Sequence, residues 1–331
     1  MGLTDLELTA LGFGSAALGN LYTAVSDEQA RATVDAAWDA GIRYFDTAPH
    51  YGLGLAERRL GAALAGRPRS DFVLSTKVGR LLVDSGQEAS DLAGGGFDLR
   101  SPLRREVDFS ADGVRRSLDE SLGRLGLDRV DIVYVHDPDA GTGHERQVVE
   151  ETVPALCALR EQGVIGAVGV GMNQWQMPAR LVGSTDLDLV LLAGRYTLLE
   201  QKSLTGLLDL CARQDVAVVA GAPFNSGLLA SDDPPADATW NYAPAPAGML
   251  ARARALAAAC TAAGVRLPAA ALQFPLAHRA VVSVLAGMRS PDEVAANAAM
   301  IREALPAALW KELVRLGLLP PEAPTPKSAS A

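Results

Sequence analysis

Four side chains that can take part in proton transfer lie at, or just after, the ends of three short apolar segments. Asp46 ends IRYFD, Lys77 ends FVLSTK and His136 ends VDIVYVH, while Tyr51 lies in the sequence DTAPHYG that starts at Asp46. A phenol with the usual pKa of about 10 is a poor acid or base at neutral pH. A neighbouring lysine would favour the phenolate and lower that pKa, and a carboxylate would keep the lysine charged. The set predicts that Tyr51 exchanges a proton with a carbonyl or alcohol oxygen and that His136 orients this oxygen.

Three of these residues also have an ordinary structural interpretation. Lys77 could extend from a strand end into solvent, Asp46 could cap a turn or a helix, and His136 could be a core histidine with its partners satisfied. Their common position at the ends of successive apolar runs favours the functional interpretation over the structural one.

The segments that carry these residues belong to a regular alternation of short apolar runs and longer amphipathic ones. The predicted strands are 11–16, 42–46, 72–77, 130–136, 165–171, 187–193, 216–221 and 281–287. The predicted helices are 26–41, 54–65, 110–126, 147–162, 174–183, 203–214, 247–263 with 268–277, and 291–304. Eight such units without a change of composition favour an α/β fold, a single-domain (β/α)8 TIM barrel, over two domains. The strands of such a barrel end on one face, which would bring the four side chains together.

Two segments are longer than ordinary loops. They are 79–109, after the third predicted strand, and 223–248, after the seventh. Structureless stretches of this length in a compact domain are usually functional lids or disorder. Both follow strands, and so would lie on the face that carries the four residues. The Pro/Ala/Ser-rich end of the chain predicts a disordered tail, 319–331, after a barrel of residues 1–318.

Charge and composition argue against several classes of partner. The 331 residues include 30 basic and 39 acidic side chains, a net charge of −9, and no basic block that would predict nucleic-acid binding. No apolar stretch approaches the ~20 residues of a membrane span. The N-terminal sequence lacks signal-peptide features, and three widely spaced cysteines favour a reducing compartment, so we expect a cytoplasmic protein. The histidines and cysteines show no metal-ligand spacing, so we expect no metal site.

Proton transfer to a carbonyl oxygen needs a hydride partner for the carbon, which side chains cannot supply, so a nicotinamide cofactor is implied. The sequence GFGSAA at 12–17 matches the dinucleotide fingerprint G-x-G-x-x-A, and Asp35 follows about twenty residues later. That fingerprint must open directly into a helix, whereas here the predicted helix begins only at Ser26. The spacing therefore disfavours a Rossmann site.

Three longer motifs resemble segments of the aldo-keto reductase superfamily, and the resemblance covers roughly residues 3 to 317. They are DTAPHYGLGLAERRLG, RVDIVYVHDPD and SVLAGMRSPDEVAAN. The resemblance implies a catalytic tetrad of Asp46, Tyr51, Lys77 and His136. It also implies that NAD(P)H binds in an extended form across the top of the barrel, without a Rossmann fold.

The motifs VHDPD and APFNSGLL resemble, within that family, the D-threo-aldose 1-dehydrogenase group, which includes L-fucose and L-galactose dehydrogenases and pyridoxal 4-dehydrogenase. This resemblance implies that an aldose is oxidised at its anomeric hydroxyl to a lactone. Alternatives are a pyridoxal 4-dehydrogenase, a general NADPH-dependent aldehyde reductase, and, from a different class, a cofactor-binding regulatory barrel without turnover. A phosphate-binding barrel isomerase would not explain the tyrosine–lysine pair.

The resemblance also implies which residues contact the cofactor. They are Gly14, Ser15, Asp46, Asn173, Phe224, Asn225, Ser226, Gly227, Leu228, Gly287, Met288, Arg289, Glu293 and Asn297. The tyrosine that often stacks on the nicotinamide is replaced by Gly221, and Phe224 is the candidate substitute or else a core residue of the loop. Gly287 and Glu293 stand where NADP-preferring members carry lysine and arginine, so NAD is the preferred cofactor, although Arg289 could tolerate NADP.

The expected partner is a small sugar or hemiacetal, and the sequence leaves the oligomeric state open. The predicted substrate contacts are Tyr51 and His136, with His50 and Trp240 as further candidates. His50 could instead cap its loop, and Trp240 could pack under it. Arg195 is expected to form a structural ion pair.

Overall fold

The structure is a computed structural model that describes residues 6–139, 143–241 and 243–326. The strands are β1 (Leu11–Gly14), β2 (Tyr44–Asp46), β3 (Val73–Val78), β4 (Arg80–Ser90), β5 (Arg100–Val107), β6 (Val130–His136), β7 (Ile165–Met172), β8 (Leu189–Ala193), β9 (Ala217–Gly221), β10 (Thr239–Trp240), β11 (Ala243–Pro244) and β12 (Val281–Gly287). The α-helices are α1 (Asp27–Asp39), α2 (Leu55–Leu64), α3 (Leu92–Gly95), α4 (Ala111–Leu125), α5 (His144–Gln147), α6 (Val153–Glu161), α7 (Gln176–Ser184), α8 (Asp209–Gln214), α9 (Ala247–Ala262), α10 (Leu267–Gln273), α11 (Pro291–Met300) and α12 (Ala307–Arg315).

Eight of the strands are parallel and close into a barrel, in the order β1-β12-β9-β8-β7-β6-β3-β2. The closure joins the first barrel strand to the last, with Gly14 opposite Gly287. Each barrel strand faces the barrel interior on one side and the helices on the other. Because both faces are covered, the sequences of the strands are nearly continuously apolar. The prediction of a single-domain (β/α)8 barrel is confirmed, and β6 and β12 span the predicted residues.

The helices bury the apolar face that their sequences predict. In α4, the Ser110 hydroxyl accepts a hydrogen bond from the Gly113 amide at 3.0 Å, which satisfies one of the unpaired donors of the first turn. Val114, Leu118 and Leu125 of this helix are buried. Burial of each such side chain stabilises the fold by roughly 1.5–3 kcal/mol. This packing fixes α4 against β3, the strand that carries Lys77.

The segment 79–109 is not structureless, which corrects the prediction. β4 and β5 pair as an antiparallel hairpin, from Arg80 opposite Val107 to Ser90 opposite Arg100, with a register shift between Asp84 and Ala89. In the second long segment, 223–248, the short strands β10 and β11 also pair, and turns account for most of the rest. The first long connection is therefore an ordered hairpin above the end of β3.

The C-terminal part of the chain is more ordered than its composition suggests. α12 was not predicted, yet it buries Leu309, Trp310 and Leu313. The predicted disordered tail begins with packed residues, since Leu319 and Ala323 are buried. Residues 327–331 of that tail lie outside the described residues.

Across the described ranges, no single helix is long and apolar enough to cross a membrane. One strongly bent pair of helices, Ala247–Ala262 and Leu267–Ala277, meets the length and composition test only when the two are taken together.

Candidate active site

Strand alternation brings two of the predicted catalytic residues into the barrel. Tyr44 on β2 and Tyr134 on β6 lie in the apolar cluster inside the barrel, and their hydroxyls are 3.1 Å apart. Side chains two residues apart in a strand share a face. Asp46 therefore points inward above Tyr44, and His136 points inward above Tyr134. The carboxyl ends of these strands thus place both side chains in the layer above the two tyrosines.

Asp46 and Lys77 form a buried ion pair in that layer. The Lys77 Nζ lies 2.6 Å from Asp46 Oδ2, and both side chains are 2% exposed. The ammonium also donates to the Thr47 carbonyl at 2.9 Å, and the Ser75 hydroxyl donates to Asp46 Oδ1 at 2.7 Å. Burial raises the pKa of the Asp46 carboxyl, and the Lys77 charge and the Ser75 hydrogen bond oppose that rise. Lys77 is held inside the barrel, so it does not extend into solvent.

Tyr51 lies beside this ion pair, on the loop between β2 and α2. The Lys77 Nζ is 4.9 Å from the centre of the Tyr51 ring. The loop is fixed by close packing of two glycines, because a Cβ atom on Gly52 would lie 2.3 Å from the Gly19 carbonyl oxygen. Gly52 also has a φ of +60°, which favours glycine. The Lys77 ammonium therefore lies next to the ring of the residue that the sequence predicts to exchange the proton.

Two neutral imidazoles face the phenol. The ring of His136 lies 6.0 Å from that of Tyr51, centre to centre, and 5.6 Å from that of His50, both edge-on. Burial lowers the pKa of His136 well below its usual range, and the charges of Arg80 and Lys77 lower it further. Burial, with nearby arginines, also lowers the pKa of His50 to about 2. At neutral pH both rings therefore act as neutral hydrogen-bonding groups.

The hairpin β4–β5 supplies site residues that were not predicted. Arg105 donates to the His50 carbonyl at 2.8 Å and forms a two-point ion pair with Asp91. Phe97, between the two hairpin strands, packs its ring 5.5 Å from that of His50. Arg80, at the start of the hairpin, lies 3.0 Å from Asp137 and 3.5 Å from His50. The sequence signal was a cation three residues after Lys77, in a segment that was read as loop.

A groove of about 560 Å³ leads away from the tetrad across the top of the barrel. It extends from Asp46 and Tyr51 to Glu293 and Asn297 in the first turns of α11. The predicted cofactor residues that line it are Gly14, Asp46, Phe224, Asn225, Ser226, Gly227, Gly287, Arg289, Glu293 and Asn297. The groove is therefore built largely from the residues that the sequence predicted.

The other predicted cofactor residues lie outside the lining of the groove. Leu228 and Met288 have fully buried side chains, which leaves only their backbone for a ligand. Asn173 is exposed, and its carbonyl accepts a hydrogen bond from Arg195 at 2.6 Å. Ser15 is buried, and its hydroxyl has no partner among the described residues.

Trp240 packs beside the ion pair between Arg195 and Glu200. Its indole N–H donates to Glu200 Oε1 at 3.1 Å, and Arg195 lies 2.9 Å from the same oxygen. Trp240 is not part of the groove lining. Arg195 forms the structural ion pair that was expected of it.

The groove suits an extended dinucleotide. Glycines line it near β1, in the loop after β9 and at the end of β12, so the backbone can approach a ligand closely. The Oδ1 atom of Asn225 is buried without a hydrogen-bond partner among the described residues, and is available to a ligand donor. One end of the groove meets Tyr51, so a ligand bound along it would place a reactive ring beside the phenol.

Comparisons with known proteins show which family the chain belongs to. The sequence profile described as the Aldo/keto reductase family matches residues 10–317. D-threo-aldose 1-dehydrogenase of a Pseudomonas species is 46% identical over 318 residues, which cover 95% of this chain and 96% of that protein. Pyridoxal 4-dehydrogenase of Microbacterium luteolum is 40% identical, over 96% of this chain and 97% of that protein. A solved aldo-keto reductase of Bacillus halodurans, in its holo form, superposes with a TM-score of 0.74 at 26% identity, over 98% of this chain and 95% of that one. The chain therefore belongs to the aldo/keto reductase family of oxidoreductases.

Proposed function

We propose that this oxidoreductase oxidises the anomeric hydroxyl of an aldose of the L-fucose or D-threo type to a lactone, with NAD as the preferred hydride acceptor. The observation that carries the proposal is the buried Asp46–Lys77 pair beside the Tyr51 ring, with a neutral His136 facing the phenol. The similarity to a D-threo-aldose 1-dehydrogenase supports the substrate class.

The side chains divide the proton chemistry between them. Tyr51, as phenolate, takes the proton of the anomeric hydroxyl, and the Lys77 ammonium stabilises the phenolate before that transfer. His136 hydrogen-bonds to the reacting oxygen and orients it. A nicotinamide held by the residues of the groove would supply the acceptor for the hydride of the anomeric carbon. Asp46 keeps Lys77 charged and in place throughout.

A cyclic hemiacetal suits this arrangement because its ring oxygen assists the loss of hydride from the neighbouring carbon. Pyridoxal is the second candidate substrate, since it also closes to a hemiacetal. The observation that favours it is the 40% identity to a pyridoxal 4-dehydrogenase. The same four side chains would serve either substrate.

The preference for NAD rests on the charge at the far end of the groove. Glu293 accepts a hydrogen bond from the Arg289 backbone amide at 2.8 Å, which holds its carboxylate at the groove. A carboxylate accepts hydrogen bonds from a ribose diol and repels a 2′-phosphate. The Arg289 guanidinium is 3.9 Å from Glu293, so its charge is partly neutralised.

The first test is nicotinamide reduction by the purified protein with L-fucose, L-galactose, D-arabinose or pyridoxal and either NAD⁺ or NADP⁺. Turnover of an aldose, faster with NAD⁺, is the expected result. Turnover of pyridoxal alone would select the second candidate. Reduction of simple aldehydes by NADPH, without any oxidation, would refute the dehydrogenase proposal in favour of a general reductase.

The role of Tyr51 is tested by Tyr51→Phe. Loss of the proton-transfer group should lower kcat by about 10²- to 10⁴-fold, and the affinity for NAD⁺, measured by titration, should not change. Tyr196→Phe is the matched control, since it removes a buried phenol oxygen that has no partner among the described residues. A near-normal kcat of the Tyr51→Phe variant would refute the proton-transfer role assigned to Tyr51.

We also propose that the protein acts in the cytoplasm on small molecules and has no nucleic-acid or membrane partner. The net charge of −9 and the unpaired state of the three cysteines support this proposal. Cell fractionation followed by activity assay would test it.

A further inference from the structure

Arg80, at the start of the hairpin β4–β5, lies close to both histidines of the site, His50 and His136. Its Nη1 lies 3.5 Å from His50 Nδ1, and its Nη2 donates to Asp137 Oδ2 at 3.0 Å. The same Asp137 oxygen lies 3.5 Å from His136 Nε2. The Arg80 side chain is only 15% exposed, so these contacts are made away from bulk water. One guanidinium therefore reaches His50 directly and His136 through a carboxylate.

The contact with His50 determines which ring nitrogen carries the proton. A guanidinium has only donors, so the nitrogen that faces it must offer a lone pair. His50 is neutral, because burial holds its pKa at about 2. A neutral imidazole with an unprotonated Nδ1 carries its hydrogen on Nε2. Arg80 thus leaves His50 with its N–H donor at Nε2, the ring nitrogen that does not face the guanidinium.

Asp137 gives His136 the same tautomer, but here the partner of the imidazole is an acceptor and not a donor. An ionised Asp137 is only an acceptor, so the nitrogen nearest to it, Nε2, is the one that carries hydrogen. The other nitrogen, Nδ1, is buried and has no partner among the described residues. At such a position a lone pair is tolerated better than an unpaired donor. Burial raises the pKa of Asp137 to about 6, and the Arg80 charge opposes that rise. Without Arg80, Asp137 would take up a proton near neutral pH and could donate to His136 instead.

We propose that Arg80 is a positioning residue that fixes His50 and His136 as their Nε2–H tautomers, directly at the first and through Asp137 at the second. The alkoxide-like oxygen that develops as the substrate loses its proton requires hydrogen-bond donors. At His136 the Nε2–H would be shared between Asp137, 3.5 Å away, and this oxygen. A histidine in the other tautomer would present a lone pair to the oxygen and raise the barrier. The inference rests on the proposed function for its kinetic consequence only, since the tautomers exist in the protein without substrate.

The direct test is NMR of the protein labelled with ¹⁵N at its four histidines. Long-range ¹H–¹⁵N spectra distinguish Nε2–H from Nδ1–H, and single substitutions of the histidines assign the signals. The unsubstituted protein should show the Nε2–H form for both His50 and His136. An Nδ1–H form at His50 would overturn the proposal, whatever the activity of the enzyme.

The second test compares Arg80→Met with a matched control. Arg69 forms a similar, partly buried pair with Asp131 at 2.6 Å, near the opposite end of the same strand, β6. Arg80→Met should mix the tautomers and lower kcat at least tenfold, with the Kd for NAD⁺ unchanged, and Arg80→Lys should restore part of the loss. Arg69→Met should leave both the tautomers and kcat unchanged.

These outcomes separate the inference from the proposed function. Tautomers and kcat in Arg80→Met that match those of the unsubstituted protein would refute the role of Arg80. An equal loss of kcat in Arg69→Met would show a general structural effect and also refute it. Absence of any dehydrogenase activity would refute the proposed function, while the tautomers would still decide the inference.

Discussion

Replacing one member of the Asp46–Lys77 pair should cost more stability than replacing both. Asp46→Asn would leave the Lys77 ammonium buried, with the Thr47 carbonyl as its remaining partner. An uncompensated buried charge costs ~3–5 kcal/mol. Lys77→Met would leave the carboxylate of Asp46, which keeps the 2.7 Å hydrogen bond from Ser75, so its cost should fall near ~3 kcal/mol.

The double variant removes both charges. Exchange of a buried ion pair for neutral groups of similar volume is often close to neutral, although the Thr47 carbonyl and the introduced amide N–H would each lack a partner at ~1 kcal/mol. We therefore expect the double variant to lose about 2 kcal/mol, roughly 5 kcal/mol less than the two single variants together. Activity should stay low in all three variants, because both side chains belong to the proposed proton-transfer machinery.

Urea unfolding followed by tryptophan fluorescence measures these free energies. The exposed pair of Arg104 and Glu106, with side chains 54% and 49% exposed, is the control. The same cycle at that pair should show a coupling below ~1 kcal/mol. Additivity of Asp46→Asn and Lys77→Met to within ~0.5 kcal/mol would refute the buried ion pair as the reason for their cost.

Three further changes test other parts of the site. Burial lowers the pKa of His50 to about 2, so below pH ~6.5 the unfolded chain takes up a proton that the folded protein does not, and stability falls as the pH decreases. His50→Gln should therefore lessen the loss of unfolding free energy between pH 6 and 5 by ~1 kcal/mol in urea titrations, and an unchanged slope would contradict the buried neutral ring. Gly52→Ala should cost ~3 kcal/mol or more and lower kcat, since its Cβ would lie 2.3 Å from the Gly19 oxygen. Gly264→Ala, at φ +69° with open space around it, should cost only ~1 kcal/mol by urea unfolding, and equal costs for the two variants would show that close approach is not the cause. Glu293→Gln should raise kcat/KM for NADP⁺ relative to NAD⁺ about tenfold, equivalent to ~1.4 kcal/mol of removed repulsion, and an unchanged ratio would refute the proposed role of this carboxylate.

The barrel could be predicted from the sequence, and so could the position of the four proposed catalytic residues on one of its faces, for a specific reason. Each barrel strand is covered on both faces, so it appears as a continuous apolar run, and a polar residue at its end stands out. Asp46, Lys77 and His136 were recognisable in this way. Since side chains alternate along a strand, the positions of Tyr44 and Tyr134 inside the barrel determine that Asp46 and His136 also face inward.

The hairpin β4–β5 could not be predicted in the same way. Most of its side chains are exposed or only partly buried, so no apolar run marks its strands. Its pairing joins residues far apart in sequence, such as Arg80 and Val107. The contacts of Arg80 and Arg105 with the site depend on that pairing, which is why both were missed. The C-terminal segment was missed for a related reason, because the buried Leu319 and Ala323 are scattered among prolines.

Three cations that the described residues place around the site are each matched by an acid: Lys77 by Asp46, Arg80 by Asp137 and Arg105 by Asp91. The pocket around the phenol therefore carries little net charge, although it is rich in ionised groups. Charges paired in this way contribute little to a long-range field that would attract an anion. Under the proposed function, such a pocket would suit uncharged sugars better than their phosphorylated forms, and capture of a neutral substrate should depend little on the ionic strength of the medium.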